Sequence, residues 1–212
     1  MDLKSRTLSN FAELVHTGEC KKFKGRLKVG VDLGTANTVL AVVDTSNRPI
    51  AGISAPSHAI QDGVILNYYE CVQIVSKLKE TLEERLGTEL PYAAAAIPPG
   101  VSPGSVKSIG YVLEGAGFEV TNIVDEPTAA SAVLKITDGA VVDVGGGTTG
   151  ISILKDGKVI YTDDEATGGT HMTMTVAGHY HIPYEEAEIL KTQPDKEEEI
   201  FPVIKATVEK MA

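Results

Sequence analysis

One short pattern occurs twice in this chain, and it constrains the fold more than any other feature of the sequence. The first copy, VDLGTANT, spans 31–38, and the second, VDVGGGTTG, spans 142–150. Each copy places an aspartate, Asp32 or Asp143, at the end of an apolar run and follows it with glycine and small hydroxyl residues. Glycine allows positive φ angles and lets backbone N–H groups approach a phosphate closely. The pattern predicts two phosphate-binding β-hairpins.

The segments around the two copies repeat one plan, in which a β-meander is followed by helices. One such hairpin alone is more often an ordinary tight turn, but two copies in equivalent positions favour phosphate binding. In the first half we predict strands over 27–32, 38–43, 50–54, 92–97 and 118–124, and helices over 71–86, 105–114 and 128–134. In the second half we predict strands over 140–144, 151–154 and 159–162, and helices over 171–179, 184–191 and 197–211.

This repeated plan predicts three parts in the chain. They are a basic N-terminal extension over 1–26, a first lobe over 27–135 and a second lobe over 136–212, with a hinge at 135–138.

The extension contains an amphipathic segment over 8–19. Its apolar residues recur at helical spacing, and Asn10 with Glu13 is typical of a capping pair at a helix start. We consider two roles for this segment. It either docks on the first lobe or forms a helix that tethers the protein to a shell or cargo protein.

The second hairpin also fits a different nucleotide-binding pattern by chance. Gly145, Gly147 and Gly150 have the GxGxxG spacing of dinucleotide-binding proteins. That pattern requires a helix directly after the glycines, whose N-terminus holds the pyrophosphate. Here an apolar run over 151–154 and the turn residues Asp156-Gly157 predict a hairpin instead. The sequence has no GxxxxGK[ST] either, which excludes a P-loop.

A third motif, EPTAA at 126–130, lies between the two hairpins. Together with DLGT at 32–35 and DVGGGT at 143–148, it resembles the actin/Hsp70/MreB/FtsA superfamily. The resemblance implies an α/β protein with a duplicated ribonuclease-H-like fold, in which two lobes with mixed five-stranded sheets hold ATP and Mg²⁺ between them. The second lobe would be incomplete in this chain.

The resemblance also implies roles for individual residues. Asp32 and Asp143 would hold Mg²⁺ through water, and Glu126 would orient or deprotonate the attacking water, so these three are the catalytic candidates. The implied phosphate-binding residues are Gly34, Thr35, Ala36 and Asn37 in the first turn, Gly145, Gly146, Gly147, Thr148 and Thr149 in the second, and Gly168, Gly169 and Thr170 in a later segment. Phosphoryl transfer relies on such positioning and charge neutralisation rather than on a covalent nucleophile.

Five further stretches resemble the EutJ family of ethanolamine-utilisation proteins within this superfamily. They are QDGVI at 61–65, AIPPG at 96–100, DEPTA at 125–129, GTTGI at 147–151 and DEATGG at 164–169. The resemblance implies a bacterial cytoplasmic protein, associated with a microcompartment, that serves as a chaperone or assembly factor. Its implied partners are ATP or ADP and either ethanolamine-catabolic enzymes or shell proteins. An MreB- or FtsA-like filament or scaffold protein is the alternative. A sugar or acid kinase is disfavoured because no substrate-binding insertion separates the motifs.

The sequence departs from Hsp70 at two points that bear on catalysis. Gly150 stands where Hsp70 carries an acid, and no basic residue can be assigned to the Hsp70 catalytic lysine. We therefore expect slow ATP hydrolysis at most. The sequence ends at Ala212, inside a predicted helix, where superfamily members continue into an adenosine-binding segment. We expect weak nucleotide binding from residues 1–212 for that reason.

The charge balance excludes some partners and leaves others open. A net charge of −10 disfavours non-specific nucleic-acid binding, and no apolar run has the length of a membrane-spanning helix. Residues 1–28 carry seven Lys/Arg against three acids, and residues 185–199 carry seven acids against two lysines. We interpret both regions as solvated faces.

The cysteines and histidines give weaker signals. Cys20 and Cys71 are too far apart in sequence for a CxxC motif, so neither a disulfide scaffold nor a zinc site is expected. His171, His179 and His181 are predicted to lie on a helix surface or cap rather than to bind a metal.

Overall fold

The computed structural model of the chain describes residues 3–61 and 64–212. Asp62 and Gly63, which belong to the QDGVI stretch, lie outside the described residues. In chain order the elements are α1 (Leu3–Thr17), β1 (Leu27–Leu33), β2 (Asn37–Asp44), β3 (Pro49–Pro56), β4 (Ile60–Gln61), β5 (Val64–Ile65), α2 (Tyr68–Leu86), β6 (Tyr92–Ile97), α3 (Pro103–Gly115), β7 (Glu119–Asp125), α4 (Glu126–Leu134), β8 (Gly139–Val144), β9 (Thr149–Lys155), β10 (Lys158–Glu165), α5 (Gly169–Tyr180), α6 (Tyr184–Thr192), a 3₁₀ turn (Pro194–Lys196) and α7 (Glu197–Met211).

The first sheet is mixed and has five strands in the order β3-β2-β1-β6-β7. The first three strands form an antiparallel meander, and β6 and β7 continue the sheet parallel to β1. The parallel crossovers are made by α2 and α3. Because side chains alternate along a strand, Val29, Val31 and Leu33 of β1 enter the core, while Asp32 stays accessible to solvent. This sheet confirms the α/β class and the first of the two predicted sheets.

The main core lies between this sheet and its crossover helices. Val75 and Leu82 of α2 and Val112 and Leu113 of α3 are completely buried there. Gly87 ends α2 with a φ of 64°, as expected for a glycine at a helix C-terminus. Cys71 lies in the same core, where burial raises the pKa of its thiol to about 11, so it behaves as a small apolar side chain.

The N-terminal segment forms a helix that packs on strand β3. A Cβ atom on Gly52 would lie 2.5 Å from Phe11 Cε2 and 2.6 Å from Val15 Cγ2, so the glycine makes room for the helix. Leu14 is buried in the same contact. The amphipathic face is therefore occupied by the protein's own sheet. The predicted capping pair was wrong, because Asn10 lies in the middle of α1.

The second sheet has three antiparallel strands in the order β10-β9-β8, within the described part of the chain. Helices α5, α6 and α7 form a separate small core around Val176, Ala187 and Ile200. Gly150 lies inside β9 and pairs with Asp164 in the β9–β10 hairpin. A strand rather than a helix therefore follows the glycines, which confirms that the GxGxxG spacing is not a dinucleotide fingerprint.

Helix α4 connects the two sheets. It starts directly after β7, where the Asp125 side chain accepts a hydrogen bond of 2.8 Å from Thr128 N–H, and its later turns pack on β8 and β9. Lys135, in the predicted hinge, has a φ of 53° and ends the helix. None of the described helices combines the length and apolar character needed to cross a membrane.

Candidate functional site

The two turns predicted from the sequence have the same backbone geometry. Gly34 N–H donates a hydrogen bond of 3.0 Å to Asn37 O, and Gly145 N–H donates one of 2.9 Å to Thr148 O. In each case the aspartate lies two residues before the glycine, at the second-last position of the incoming strand. The aspartates therefore occupy equivalent positions in the two sheets.

Both turns face a single cleft of about 240 Å³. Their tips nearly touch, since a Cβ atom on Gly146 would lie 3.1 Å from Ala36 Cβ. The predicted residues that line this cleft are Asp32, Gly34, Thr35, Ala36, Asn37, Glu126, Asp143, Gly145, Gly146, Gly147 and Thr148. Three further lining residues, Leu33, Val39 and Pro98, were not predicted. Pro98 follows β6 and belongs to the PPG sequence that ends this strand.

Three carboxylates meet in this cleft. The side chain of Asp32 still reaches solvent, but the walls of the cleft displace much of the water around it. This desolvation, followed by the nearby charge of Asp143, raises the pKa of Asp32 to about 6. Burial also raises the pKa of Asp143. The strongest shift is at Glu126, the first residue of α4, where burial and then the charges of Asp32 and Asp143 raise the pKa to about 8. The cleft therefore concentrates negative charge that only a cation or protons can compensate.

The remaining predicted residues lie behind the second turn and do not line the cleft. Gly169 and Thr170 N–H groups donate hydrogen bonds of 2.9 and 2.8 Å to Gly145 O and Gly146 O. Gly168 packs so closely that a Cβ atom there would lie 2.5 Å from Gly145 O. These groups support the second turn. The N–H groups of Gly169 and Thr170 already bond to protein carbonyls, and the phosphate-binding role of these residues stays a prediction.

Thr149 does not line the cleft either. Its hydroxyl donates a hydrogen bond of 2.7 Å to Thr167 O and is buried. This bond ties the start of β9 to the segment that precedes α5. Of the two threonines in the second turn, Thr148 is therefore the one that lines the cleft.

A lysine that we did not predict supports the same region from α6. Lys191 Nζ donates hydrogen bonds of 3.1 Å to Gly169 O and 2.7 Å to Thr173 Oγ1, and it forms an ion pair of 2.7 Å with Glu188. It thereby fixes the first turn of α5. The sequence signal was only a Glu–Lys pair at i and i+3 on a helix, which is common on exposed helix faces.

The three histidines lie near the two ends of α5. His171 Nδ1 accepts a hydrogen bond of 3.1 Å from Gly168 N–H at the start of this helix, and His181 follows its last residue with a φ of 54°.

Two facing Asp–Gly turns, joined by a helix that begins with a glutamate, define the fold of the actin-like ATPases. The structure superposes on MreB5 of Spiroplasma citri bound to ADP with a TM-score of 0.60, over 78% of this chain and 61% of that one, at 20% identity. Residues 140–211 also match the model of the cell division protein FtsA family.

Much stronger similarity is found to ethanolamine utilization protein EutJ. The Salmonella typhimurium protein is 46% identical over 186 residues, which cover 88% of this chain and 65% of that protein. The crystal structure of EutJ from Carboxydothermus hydrogenoformans superposes with a TM-score of 0.91 at 43% identity, over 98% of this chain and 76% of that one. The chain belongs to the EutJ family. It spans 65% of the length of its Salmonella relative.

Proposed function

We propose that this chain binds ATP and ADP in the cleft between the two turns. One observation carries the proposal. Two turns, each preceded by an aspartate and closed by the same hydrogen bond from a glycine N–H to a carbonyl three residues later, lie on opposite sides of one cleft. The backbone N–H groups inside the turns, at 35–36 and 146–147, would bind the phosphates, helped by the hydroxyls of Thr35 and Thr148, while Gly34 and Gly145 N–H close the turns. Glycine-rich turns leave backbone N–H groups accessible, so these groups can donate to a phosphate without straining the turn.

The acidic cleft fits a hydrated magnesium ion, which prefers carboxylate and water oxygens. Asp32 and Asp143 would hold it through water, and when bound it would neutralise the phosphate charge. Without a cation, burial disfavours the charged forms of both aspartates and raises their pKa values, and the charge of Asp143 adds to this effect at Asp32. Glu126 lines the same cleft from the start of α4, where it would orient a water molecule and accept its proton. Hydrolysis would be slow at most, since no lysine lines the cleft within the described residues.

Binding at this cleft would be communicated to the rest of the molecule through the two sheets. Each turn connects the strands of a different sheet, and their tips are in contact at Ala36 and Gly146. A nucleotide between the turns would change their separation and rotate the sheets relative to each other, as in other hinge-closing proteins.

We further propose that this motion controls a chaperone or assembly role in ethanolamine utilisation. Membership of the EutJ family supports a role in ethanolamine utilisation. The partners would be ethanolamine-catabolic enzymes or microcompartment shell proteins in the bacterial cytoplasm. An MreB- or FtsA-like filament is the second candidate, supported by the FtsA-family match at 140–211.

The test of the site is a calorimetric titration of the protein with ATP in Mg²⁺ and in EDTA. Asp143→Asn should weaken binding of Mg·ATP about tenfold or more and remove the difference between Mg²⁺ and EDTA, because the water-bridged metal contact is lost. Asp156→Asn is the matched control, since this exposed residue lies in the β9–β10 turn. Unchanged Mg·ATP affinity in Asp143→Asn would exclude this site.

A second experiment separates the two cellular roles. ATP-dependent light scattering that disappears in Asp143→Asn would support a filament. Nucleotide-dependent co-purification with ethanolamine-catabolic enzymes or shell proteins, without scattering, would support the chaperone or assembly role.

A further inference from the structure

A basic groove lies at the end of the first sheet that is farthest from the phosphate turns. We use the name basic groove for the space of about 660 Å³ that is lined by residues 20–24, the β2–β3 turn at 44–48, and Arg85 and Leu86 at the end of α2. Leu27 pairs with Asp44 at this end of β1, whereas Leu33 pairs with Thr38 at the cleft end. The groove is therefore separate from the candidate nucleotide site by the length of the strand, roughly 20 Å.

The positive charge of the basic groove is not compensated by the chain itself. Its only lining carboxylate, Asp44, accepts hydrogen bonds of 2.8 Å from Ser46 N–H and 2.7 Å from Arg48 Nε, so it neutralises Arg48. The other four cations, Lys21, Lys22, Lys24 and Arg85, form no ion pair with any described carboxylate. Such a concentration of unpaired cations in a protein with a net charge of −10 indicates an anionic partner.

The walls of the basic groove are partly apolar. Phe23 lies between the lysines and Leu86 lies beside Arg85. Lys21 N–H donates a hydrogen bond of 2.8 Å to Ile50 O, which fixes the segment along the start of β3. The groove is thus suited to a protein surface that combines carboxylates with an exposed apolar side chain.

The chain carries one surface of that kind, the acidic segment at 185–199. Two of its seven acids are paired, Glu188 with Lys191 and Glu199 with Lys196. The remaining five are exposed and form no ion pair among the described residues; they are Glu185, Glu186, Asp195, Glu197 and Glu198. Ile189 and Phe201, on α6 and α7, are 61% and 50% exposed beside them.

We infer that the acidic segment of one copy of this chain docks in the basic groove of a second copy. No ion pair joins the two regions within one molecule over residues 3–61 and 64–212, so both remain available to a neighbour. The contact joins two different surfaces, so it is compatible with a two-fold dimer in which each segment fills the other groove and with a head-to-tail ring or open chain. Nucleotide is not part of this contact, and the inference stands independently of the proposed ATP site.

The strength of this contact should depend on salt in a characteristic way. Exposed ion pairs are individually weak, and they oppose the general repulsion between two acidic molecules. At about 0.1 M salt the Debye length is roughly 10 Å, so distant repulsion is screened while contacting charges still interact. At about 1 M salt contacting charges are screened as well. Association should therefore be present at the lower of these concentrations and lost at the higher.

Sedimentation velocity over a series of protein concentrations tests the contact with charge-reversal variants. Lys22→Glu/Lys24→Glu and Glu197→Lys/Glu198→Lys should each weaken association about tenfold or more. An equimolar mixture of the two variants should recover association, because the reversed groove of one matches the reversed segment of the other. Lys155→Glu/Lys158→Glu is the matched control, since it changes the net charge equally at an exposed turn and should associate like the wild type.

Three outcomes would overturn the inference. The first is a wild-type chain that stays monomeric at both salt concentrations. The second is a control variant that weakens association as much as the groove variant does. The third is a mixture of the two reversal variants that fails to recover association. Binding of inorganic pyrophosphate in the groove of a monomeric chain, lost in Lys22→Glu/Lys24→Glu, would assign the groove to a small anion instead.

Discussion

The two Asp–Gly turns are closed by the same backbone hydrogen bond, but they are supported in different ways. The first turn follows β1, an interior strand between β2 and β6, with Val31 and Leu33 buried beneath it. The second turn follows β8, which is the edge strand of a three-stranded sheet, and the side chains of Val142 and Val144 are 56% and 54% exposed.

The second turn compensates for its weaker sheet through backbone contacts with α5. Two of its carbonyl groups accept hydrogen bonds from the start of that helix, and Lys191 fixes the same helix turn from behind. The comparison shows that a few glycines and one hydrogen bond define the shape of the turn, whereas its rigidity depends on whatever packs against it. The first turn relies on the core, and the second relies on the approach of α5.

The largest effect in this comparison is expected from Gly168→Ala. The added Cβ would lie 2.5 Å from Gly145 O and 2.7 Å from Gly146 O, so α5 and the second turn must separate. We expect a loss of about 3 kcal/mol or more in the free energy of unfolding and loss of Mg·ATP binding, measured by urea denaturation and calorimetry. Gly178→Ala in the same helix has no atom within 4 Å and should be neutral or stabilising. A wild-type denaturation midpoint in Gly168→Ala would contradict the proposed support.

A smaller effect is expected from truncating one apolar side chain in each of the two sheets. Leu40 of β2 is completely buried, so Leu40→Ala should cost about 2–5 kcal/mol through lost contacts and a cavity. Val144→Ala on the exposed side of β8 should cost below about 1 kcal/mol. Urea denaturation of both variants measures the difference. Equal costs would mean that the second sheet is covered in solution, and the contrast between the two halves would be incorrect.

The smallest effect concerns Glu126, which lies between the two turns. Its pKa of about 8 in the folded protein, against 4.5 for an ordinary glutamate, means that folding retains a proton that the unfolded chain has lost. The wild type should therefore lose stability as the pH rises from about 5 to about 8, and the full cost should persist above that range. Glu126→Gln cannot ionise, so it should become more stable than the wild type at about pH 9 and differ from it by almost nothing near pH 5. Glu126 is partly exposed, and because solvent screens its charge we expect a gain of about 2 kcal/mol, below what the full pKa shift implies.

Urea denaturation in EDTA at both pH values measures this difference. Glu84→Gln, on the exposed face of α2, is the control and should follow the wild type at both. A constant difference between Glu126→Gln and the wild type across this pH range would show that the cleft does not raise the pKa of Glu126.

Local sequence patterns predicted most of the secondary structure and the two turns. Apolar alternation in 27–33 and 37–44, glycine at 34 and 145, and glycine at 87 all act over a few residues, which is the range over which sequence patterns are informative. The start of α1 was not predicted, because its apolar face is completed by contacts with β3 around Gly52 rather than by a capping signal.

The candidate site was only partly predictable for a related reason. Cleft residues that lie inside the turn motifs were identified directly. Pro98 and Lys191 were not, because their roles depend on which elements pack together, and Lys191 contacts Gly169 across 22 residues of sequence. The hydrogen bonds from Gly169 and Thr170 N–H to carbonyls of the second turn were not predicted either, because they depend on how α5 approaches that turn.

The sequence alone determined that this chain has two aspartate–glycine turns, a glutamate at the start of a helix between them, and uneven charge at its two ends. These properties follow from the identity and order of neighbouring residues. Only the tertiary structure decided that both aspartates and Glu126 share one cleft, that α5 supports the second turn, and that unpaired lysines surround a groove. Distances between remote residues are set by the packing of sheets and helices, and no local pattern encodes them.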